Sequence, residues 1–166
     1  MSVTDEQLAD AGNRLGDELI RQERTIATAE SCTGGWVAKV LTDRAGSSAY
    51  VEAGLVTYSN EAKIKLLGVT EKSLEEHGAV SEPVVREMVA GALAATGAGV
   101  AVAISGVAGP GGGSDDKPVG TVWFAWGTGP DDTVARVECF PGDRDEVRRQ
   151  AVLYVLQGVT AFLGAA

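Results

Sequence analysis

Histidine is nearly missing from this chain: His77 is the single one among 166 residues. A Ser-His-Asp triad would have to use it, and no Cys/His cluster is present for zinc, so no metal site is expected. His77 stands in EEHG, where a helix is expected to end, and an imidazole there satisfies terminal carbonyls and the helix dipole. Cysteine is almost as scarce. Cys32 and Cys139 lie far apart with no CxxC spacing, which excludes a disulfide framework and points to a reduced, cytoplasmic setting. Positive charge is short too, with 14 Lys and Arg against 23 Asp and Glu, a formal net charge of -9. General nucleic-acid binding depends on neutralising phosphates and is not expected from such a chain, although a local cluster of donors can still hold one small phosphate. No apolar run reaches the roughly 18 to 20 residues that cross a bilayer, so no membrane partner is expected. The opening MSVTDEQLAD is acidic and polar, unlike a signal peptide.

What is present suits one globular domain. The length allows a real core, and 45% of the residues are hydrophobic. Leu8, Ala11, Leu15, Leu19 and Ile20 recur at helical spacing over residues 3–23. Residues 25–30 read as a short strand, Thr33 to about Arg44 as a helix, and 49–57 as a strand. SNEAKIKLLG and TEKSLEEHG read as short helices closed by Gly68 and Gly78. SEPVVREMVAGALAATG is a longer one, capped by Ser81, with Pro83 in its first turn and Gly97 as its stop. GVAVAISG is a continuous apolar run bounded by glycines, as in a buried strand. VAGPGGGSDDKPVG must be a loop, GTVWFAWGT and TVARVECF a hairpin, and Asp143 caps a last helix to about Leu163. Trp123 and Trp126 of the hairpin suit either core or interface, with core the first expectation. Strands alternating with helices, then a hairpin, predict an α/β fold: a three-layer α/β/α single domain over residues 1–166, core about 4–163, with a mixed sheet. The alternative is an α+β sandwich with helices on one face.

Familiar catalytic signatures are absent. GxSxG is not found, since Ser31 stands in AESCTG. GPGGGSDDK resembles a phosphate loop, but Walker A requires Gly-Lys-Ser/Thr and here Pro118 follows Lys117. The dinucleotide fingerprint fails as well, with Ser114 at its last glycine position and no helix after it. A flexible connection and an anion-holding nest of glycine amides both remain open for this loop.

The stretch TIATAESCTGG is more informative. Ligands of open α/β sheets bind beyond the carboxyl ends of strands, and Ser31 falls at such an end. A helix starting near Thr33 would leave the amides of Thr33, Gly34 and Gly35 free to attract an anion. The alternative is that Ser31 or Thr33 only caps that helix. A serine nucleophile needs a base, and a neutral lysine can serve. TYSNEAK puts Tyr58 and Lys63 five apart, from a strand end into a helix. Lysine titrates near ~10.4, so bringing it to ~7 costs roughly 4 to 5 kcal/mol, which burial or a nearby cation supplies. Tyr58 would relay or orient the proton; the alternative for Lys63 is a solvated helical lysine. Cys32 is the rival nucleophile. In GDRDEVRRQ, Arg144 sits in a first helical turn against the dipole preference, which asks for a ligand phosphate or an acid such as Glu30. Arg148 and Arg149 read as exposed.

AESCTGG, VTYSNEAK, AISGVAGPGGGSDDKPVGTVW and FPGDRDEVRRQAV, in this order over about residues 4–163, resemble the CinA C-terminal domain family. The resemblance implies a three-layer α/β/α fold and hydrolysis of nicotinamide mononucleotide to nicotinate mononucleotide and ammonia, a step of pyridine-nucleotide recycling, without metal or other cofactor. Ser31 would be the nucleophile, Lys63 its base and Tyr58 a support for proton transfer. Ser105, where many relatives carry Thr, would line the site, and Arg144 would help to hold the nucleotide. The oxyanion would rest on amides near Thr33 or in the Gly106 loop. Some relatives carry a second, molybdopterin-binding-like N-terminal domain, which is not expected here. A homo-oligomer, with a dimer first, is the expected assembly. The remaining alternative is a non-catalytic nucleotide-binding module of the same family.

Overall fold

The computed structural model describes residues 2–164. Five strands form one sheet: β1 Ile26–Glu30, β2 Val51–Val56, β3 Val100–Gly106, β4 Thr121–Gly127 and β5 Val134–Cys139. Their order across the sheet is β2-β1-β3-β4-β5. The first three run parallel, and β4 and β5 are antiparallel, so the sheet is mixed as expected. The helices are α1 Asp5–Arg21, α2 Trp36–Thr42, α3 Asn60–Leu67, α4 Glu71–His77, α5 Glu82–Thr96 and α6 Arg144–Gly164, with a 3-10 turn at Ser47–Ala49.

Both faces of the sheet are covered, which gives the three layers. The alternation within β3 shows why its sequence is apolar throughout: Val100, Val102 and Ile104 join Leu8, Leu15 and Leu19 of α1 and Val152, Val155 and Val159 of α6. Ala101 and Ala103 meet Val85, Met88 and Val89 of α5 on the opposite face. Alanines on that face let α5 lie close, while Val, Ile, Phe124 and Trp126 fill the wider layer beneath α6. Trp126 is thus core, and Trp123 packs half-buried on the α5 side.

Three local expectations change. Ile20 is 50% exposed, because residues 8, 11, 15 and 19 already make the stripe and Ile20 lies one position off it. Ser81 occupies the cap position of α5 without bonding its amides; its hydroxyl donates to the Gly78 carbonyl at 2.7 Å. The helix expected from Thr33 begins at Trp36, for a reason that concerns the site. Asp143 does cap α6, its Oδ1 accepting from the Glu146 amide at 2.9 Å.

The chain leaves β1 for β2 on one side and later returns to β3 on the other. The carboxyl end of β1 is therefore a topological switch point, where neighbouring connections diverge and leave a crevice.

Candidate active site

Ser31 follows β1 directly at this point. Its amide donates to the Ile104 carbonyl at 3.0 Å, and the Thr57 amide donates to the Glu30 carbonyl at 2.8 Å. The backbone beneath Ser31 is thus tied into both neighbouring strands. The chain then makes a tight turn. Gly34 and Gly35 adopt φ of 60° and 96°, left-handed values that suit glycine, and the Gly34 amide closes on the Ser31 carbonyl at 3.0 Å. These two residues delay α2 to Trp36.

The delay decides what the start of α2 binds. Its amides at Val37 and Ala38 donate to Oε1 and Oε2 of Glu30, at 2.9 and 3.0 Å. The Thr33 hydroxyl adds a bond of 2.6 Å to Oε1, and the Thr28 hydroxyl one of 3.4 Å to Oε2. Glu30 is fully buried, so a carboxylate of the protein itself occupies the helix terminus where an external anion was expected. Thr33, Gly34 and Gly35 accordingly do not line the cleft beside Ser31. A side chain at Gly34 would point to the Arg148 guanidinium, and one at Gly35 to Val56. Glu30 likewise is no partner of Arg144. Replacing Glu30 by alanine leaves two amides and two hydroxyls without this acceptor. The expected cost is roughly 3 kcal/mol, or a melting point lower by about 6 to 12 °C, measured by thermal denaturation followed by circular dichroism; Glu30→Gln, which keeps one acceptor oxygen, should lose less.

Lys63 enters the same crevice from α3. Only 1% of it is exposed, and its Nζ lies 2.9 Å from Ser31 Oγ, 2.6 Å from the Thr57 carbonyl and 3.4 Å from the Tyr58 carbonyl. Burial brings its pKa down to about 8, opposed only weakly by the Cys32 thiol. Lys63 is therefore not a solvated helical lysine. Cys32, next to Ser31, is 5% exposed, and burial followed by the Glu30 charge pushes its thiol up to about 12. A thiol held that high is a poor nucleophile at neutral pH.

A cleft of about 320 Å³ opens over Ser31 and Lys63. Ser105 and Gly106, at the end of β3, form one side, and the glycine loop through Gly109 and Gly112 continues it. Arg144 stands at its mouth, Nη1 donating to the Gly109 carbonyl at 2.8 Å and Nη2 to the Tyr58 hydroxyl at 3.2 Å. The Tyr58 phenol, 61% exposed, is thus engaged by Arg144, and only the carbonyl of Tyr58 touches Lys63. A relay through the phenol has no hydrogen-bonded path here, because the side chain leaves the strand end toward the mouth. The glycine loop is anchored: Lys117 Nζ donates to the His77 carbonyl at 2.5 Å. The His77 carbonyl is satisfied by that lysine, and its exposed imidazole lies outside the cleft. A roomier hollow of about 440 Å³ lies between α1 and α6; its one hydroxyl, Thr160, donates to the Leu156 carbonyl at 2.7 Å within its own helix. Among the described residues no group of three His, Cys, Asp or Glu is placed to hold a metal ion, and no helix is long and apolar enough to cross a membrane.

Arg148 and Arg149 are half-buried rather than exposed, both stacked over Trp36 at 5.3 and 5.0 Å. Arg148 also bonds to the carbonyls of Cys32 and Thr33. A signal for it exists in the sequence: Arg148 lies four and seven residues before Val152 and Val155, on their buried stripe.

Comparison with known proteins gives concordant results. The family model described as CinA C-terminal domain matches residues 8–163. The chain is 60% identical over 155 residues to nicotinamide-nucleotide amidohydrolase PncC of Escherichia coli (strain K12), covering 93% of this chain and 94% of that one. It is 56% identical over 146 residues to the protein of the same name from Pseudomonas putida, covering 88% and 91%. Among solved structures, competence/damage inducible protein CihA from Agrobacterium tumefaciens superposes with a TM-score of 0.92 at 39% identity, covering 99% of both chains.

Proposed function

The chain belongs to the CinA C-terminal domain family, and on that premise we propose that it hydrolyses the carboxamide of nicotinamide mononucleotide, giving nicotinate mononucleotide and ammonia, with Ser31 as nucleophile and Lys63 as its base. The observation that carries the assignment of roles is the surrounding of Lys63 Nζ. Two of its three close neighbours are backbone carbonyls, which only accept. A neutral amine has two N–H bonds and one lone pair. With both N–H bonds directed at Thr57 and Tyr58, the lone pair faces Ser31 Oγ at 2.9 Å.

The reaction is acyl transfer. Lys63 takes the Ser31 proton as Oγ attacks the carboxamide carbon. Amides of the loop after Gly106 hold the oxyanion, one such donor being worth about 3 to 4 kcal/mol. The ammonium of Lys63 returns the proton to the departing nitrogen, and ammonia leaves. Water, deprotonated by the same amine, then opens the Ser31 ester and frees the nicotinate. Arg144 has a carbonyl and a phenol as partners, neither of them anionic, so its charge is available to the nucleotide phosphate. Ser105 lines the site, and Tyr58 acts beside Arg144 at the mouth rather than in the proton path. The same reading makes the protein a cytoplasmic homo-oligomer, a dimer first, that uses no metal and has no nucleic-acid partner.

The test is release of ammonia together with nicotinate mononucleotide, followed by a coupled assay and chromatography in buffer containing a chelator. Equal amounts of both products are expected, and Cys32→Ala should retain the rate within a few-fold. Tight binding of nicotinamide mononucleotide with no ammonia would instead identify a non-catalytic nucleotide-binding module.

A further inference from the structure

Helix α6 supplies two arginines one turn apart that reach in different directions. Arg144 faces the mouth of the cleft. Arg148 reaches the turn that carries Ser31: its Nε donates to the Cys32 carbonyl at 3.0 Å and its Nη2 to the Thr33 carbonyl at 3.3 Å, while the guanidinium stacks over Trp36. These carbonyls belong to the two residues straight after Ser31. Glu30, the residue before Ser31, collects the Thr33 hydroxyl and the amides of Val37 and Ala38. The turn is thus held by opposite charges through opposite kinds of group, a carboxylate on N–H and O–H donors and a guanidinium on C=O acceptors. The planar fork of arginine suits this, since it directs two N–H bonds at fixed spacing, which an ammonium does not.

We infer that Arg148 is a positioning residue for Ser31: it sets the turn that holds Oγ within reach of Lys63. This rests on the roles proposed above for Ser31 and Lys63. Arg148 is absent from the cleft lining, so its influence on the reaction passes through the turn. Displacing a nucleophile by about 1 Å can cost on the order of 10²-fold in rate without altering substrate binding. The loss should therefore fall on kcat and leave KM nearly unchanged.

Arg149 provides an internal control. It stacks over the same Trp36 but pairs with Asp5 and Asp145 and makes no bond to the turn. Cys32 provides a second readout, because it is 5% exposed with the turn held as it is, and loosening the turn would expose its thiol. The experiment compares wild type, Arg148→Met, Arg148→Lys and Arg149→Met, all in a Cys139→Ser background that removes the exposed thiol. Steady-state kinetics with nicotinamide mononucleotide are measured beside the rate of Cys32 alkylation by iodoacetamide, read by mass spectrometry.

Arg148→Met should lower kcat by about 10- to 100-fold with KM within about twofold, and speed Cys32 alkylation at least about tenfold. Arg148→Lys, which keeps the charge but loses the fork, should fall between it and wild type, and Arg149→Met should match wild type in kcat. Should Arg148→Met fail to fold, the lysine variant carries the same comparison. The inference is overturned if kcat of the Arg148 variants stays within twofold of Arg149→Met, or if the loss appears in KM with alkylation unchanged. If wild type releases no ammonia, the roles of Ser31 and Lys63 fall, and the alkylation rate alone decides: faster labelling upholds the hold of Arg148 on the turn, and unchanged labelling removes it.

Discussion

Ser31→Ala is expected to lower ammonia release from nicotinamide mononucleotide by roughly 10⁴- to 10⁶-fold, the range seen when a nucleophile is removed from a group that acts as a unit. The variant should fold and melt like wild type. Apart from the contact of its hydroxyl with Lys63, Ser31 is held by its backbone, to the Ile104 carbonyl and from the Gly34 amide, and alanine keeps both of these bonds. Lys63 retains its shortest bond, to the Thr57 carbonyl at 2.6 Å. Substrate affinity should survive too, because Arg144 and the glycine loop are untouched, so equilibrium binding with KD near the wild-type value is the second expected result. The informative comparison is with Cys32→Ala. The two side chains are neighbours, yet the thiol is buried and held near 12, whereas the hydroxyl lies 2.9 Å from an amine with its N–H bonds engaged elsewhere. A folded Ser31→Ala protein that turns over near the wild-type rate would end the assignment, and loss of activity in Cys32→Ala alone would transfer it to the thiol.

The pairing of Ser31 with Lys63 was legible because each half is local. A nucleophile after an alternating apolar strand and a lysine in the first turns of a capped helix both point to strand ends, and the parallel order of β2, β1 and β3 gathers such ends at one edge. The helix expected from Thr33 starts at Trp36 because helix starts are set by backbone dihedrals, and two consecutive glycines with positive φ move this one by a turn. That shift handed the free amides to Glu30. A buried Glu at the end of a strand is itself a signal, since a carboxylate is rarely buried without several donors. The short sequence distance from Tyr58 to Lys63 suggests a place for the phenol in the proton path. The direction in which a side chain leaves a strand end is decided by what waits there, in this case Arg144, which comes from 86 residues further along the chain. Arg148 poses a similar conflict: its charge suggests exposure, while its position on the stripe of Val152 and Val155 suggests the inside. Position was the better guide, because an arginine can be buried where turn carbonyls accept its N–H bonds.

Lys63→Met should abolish activity and at the same time stabilise the protein at neutral pH. Methionine has nearly the length of the lysine stem and adapts to the same buried channel, but it supplies neither a base nor a charge. In wild type, kcat/KM should rise about tenfold per pH unit below pH 8 and level off above it, since Lys63 acts when neutral and its pKa stands at about 8. Stability follows the opposite logic. The unfolded chain holds the Lys63 proton up to about pH 10.4, whereas the folded one releases it near 8, so between these values the unfolded state binds more protons and wild-type stability climbs with pH. Below pH 8 the full penalty of burying an ammonium is present. A shift from 10.5 to about 8 amounts to roughly 3 kcal/mol as an upper bound, from which about 1 kcal/mol is offset by the hydrogen bond lost to Thr57. Lys63→Met should therefore be more stable than wild type by about 1 to 2 kcal/mol at pH 6 to 7, a rise of about 2 to 8 °C in melting temperature. The gap should close as the pH approaches 10.4, where wild type no longer buries a charge. Chemical denaturation at pH 6.5, 8.5 and 10 measures it. A variant less stable than wild type at pH 6.5 would mean that Lys63 is not held against its charge, and the case for it as a neutral base at this serine would fail with it.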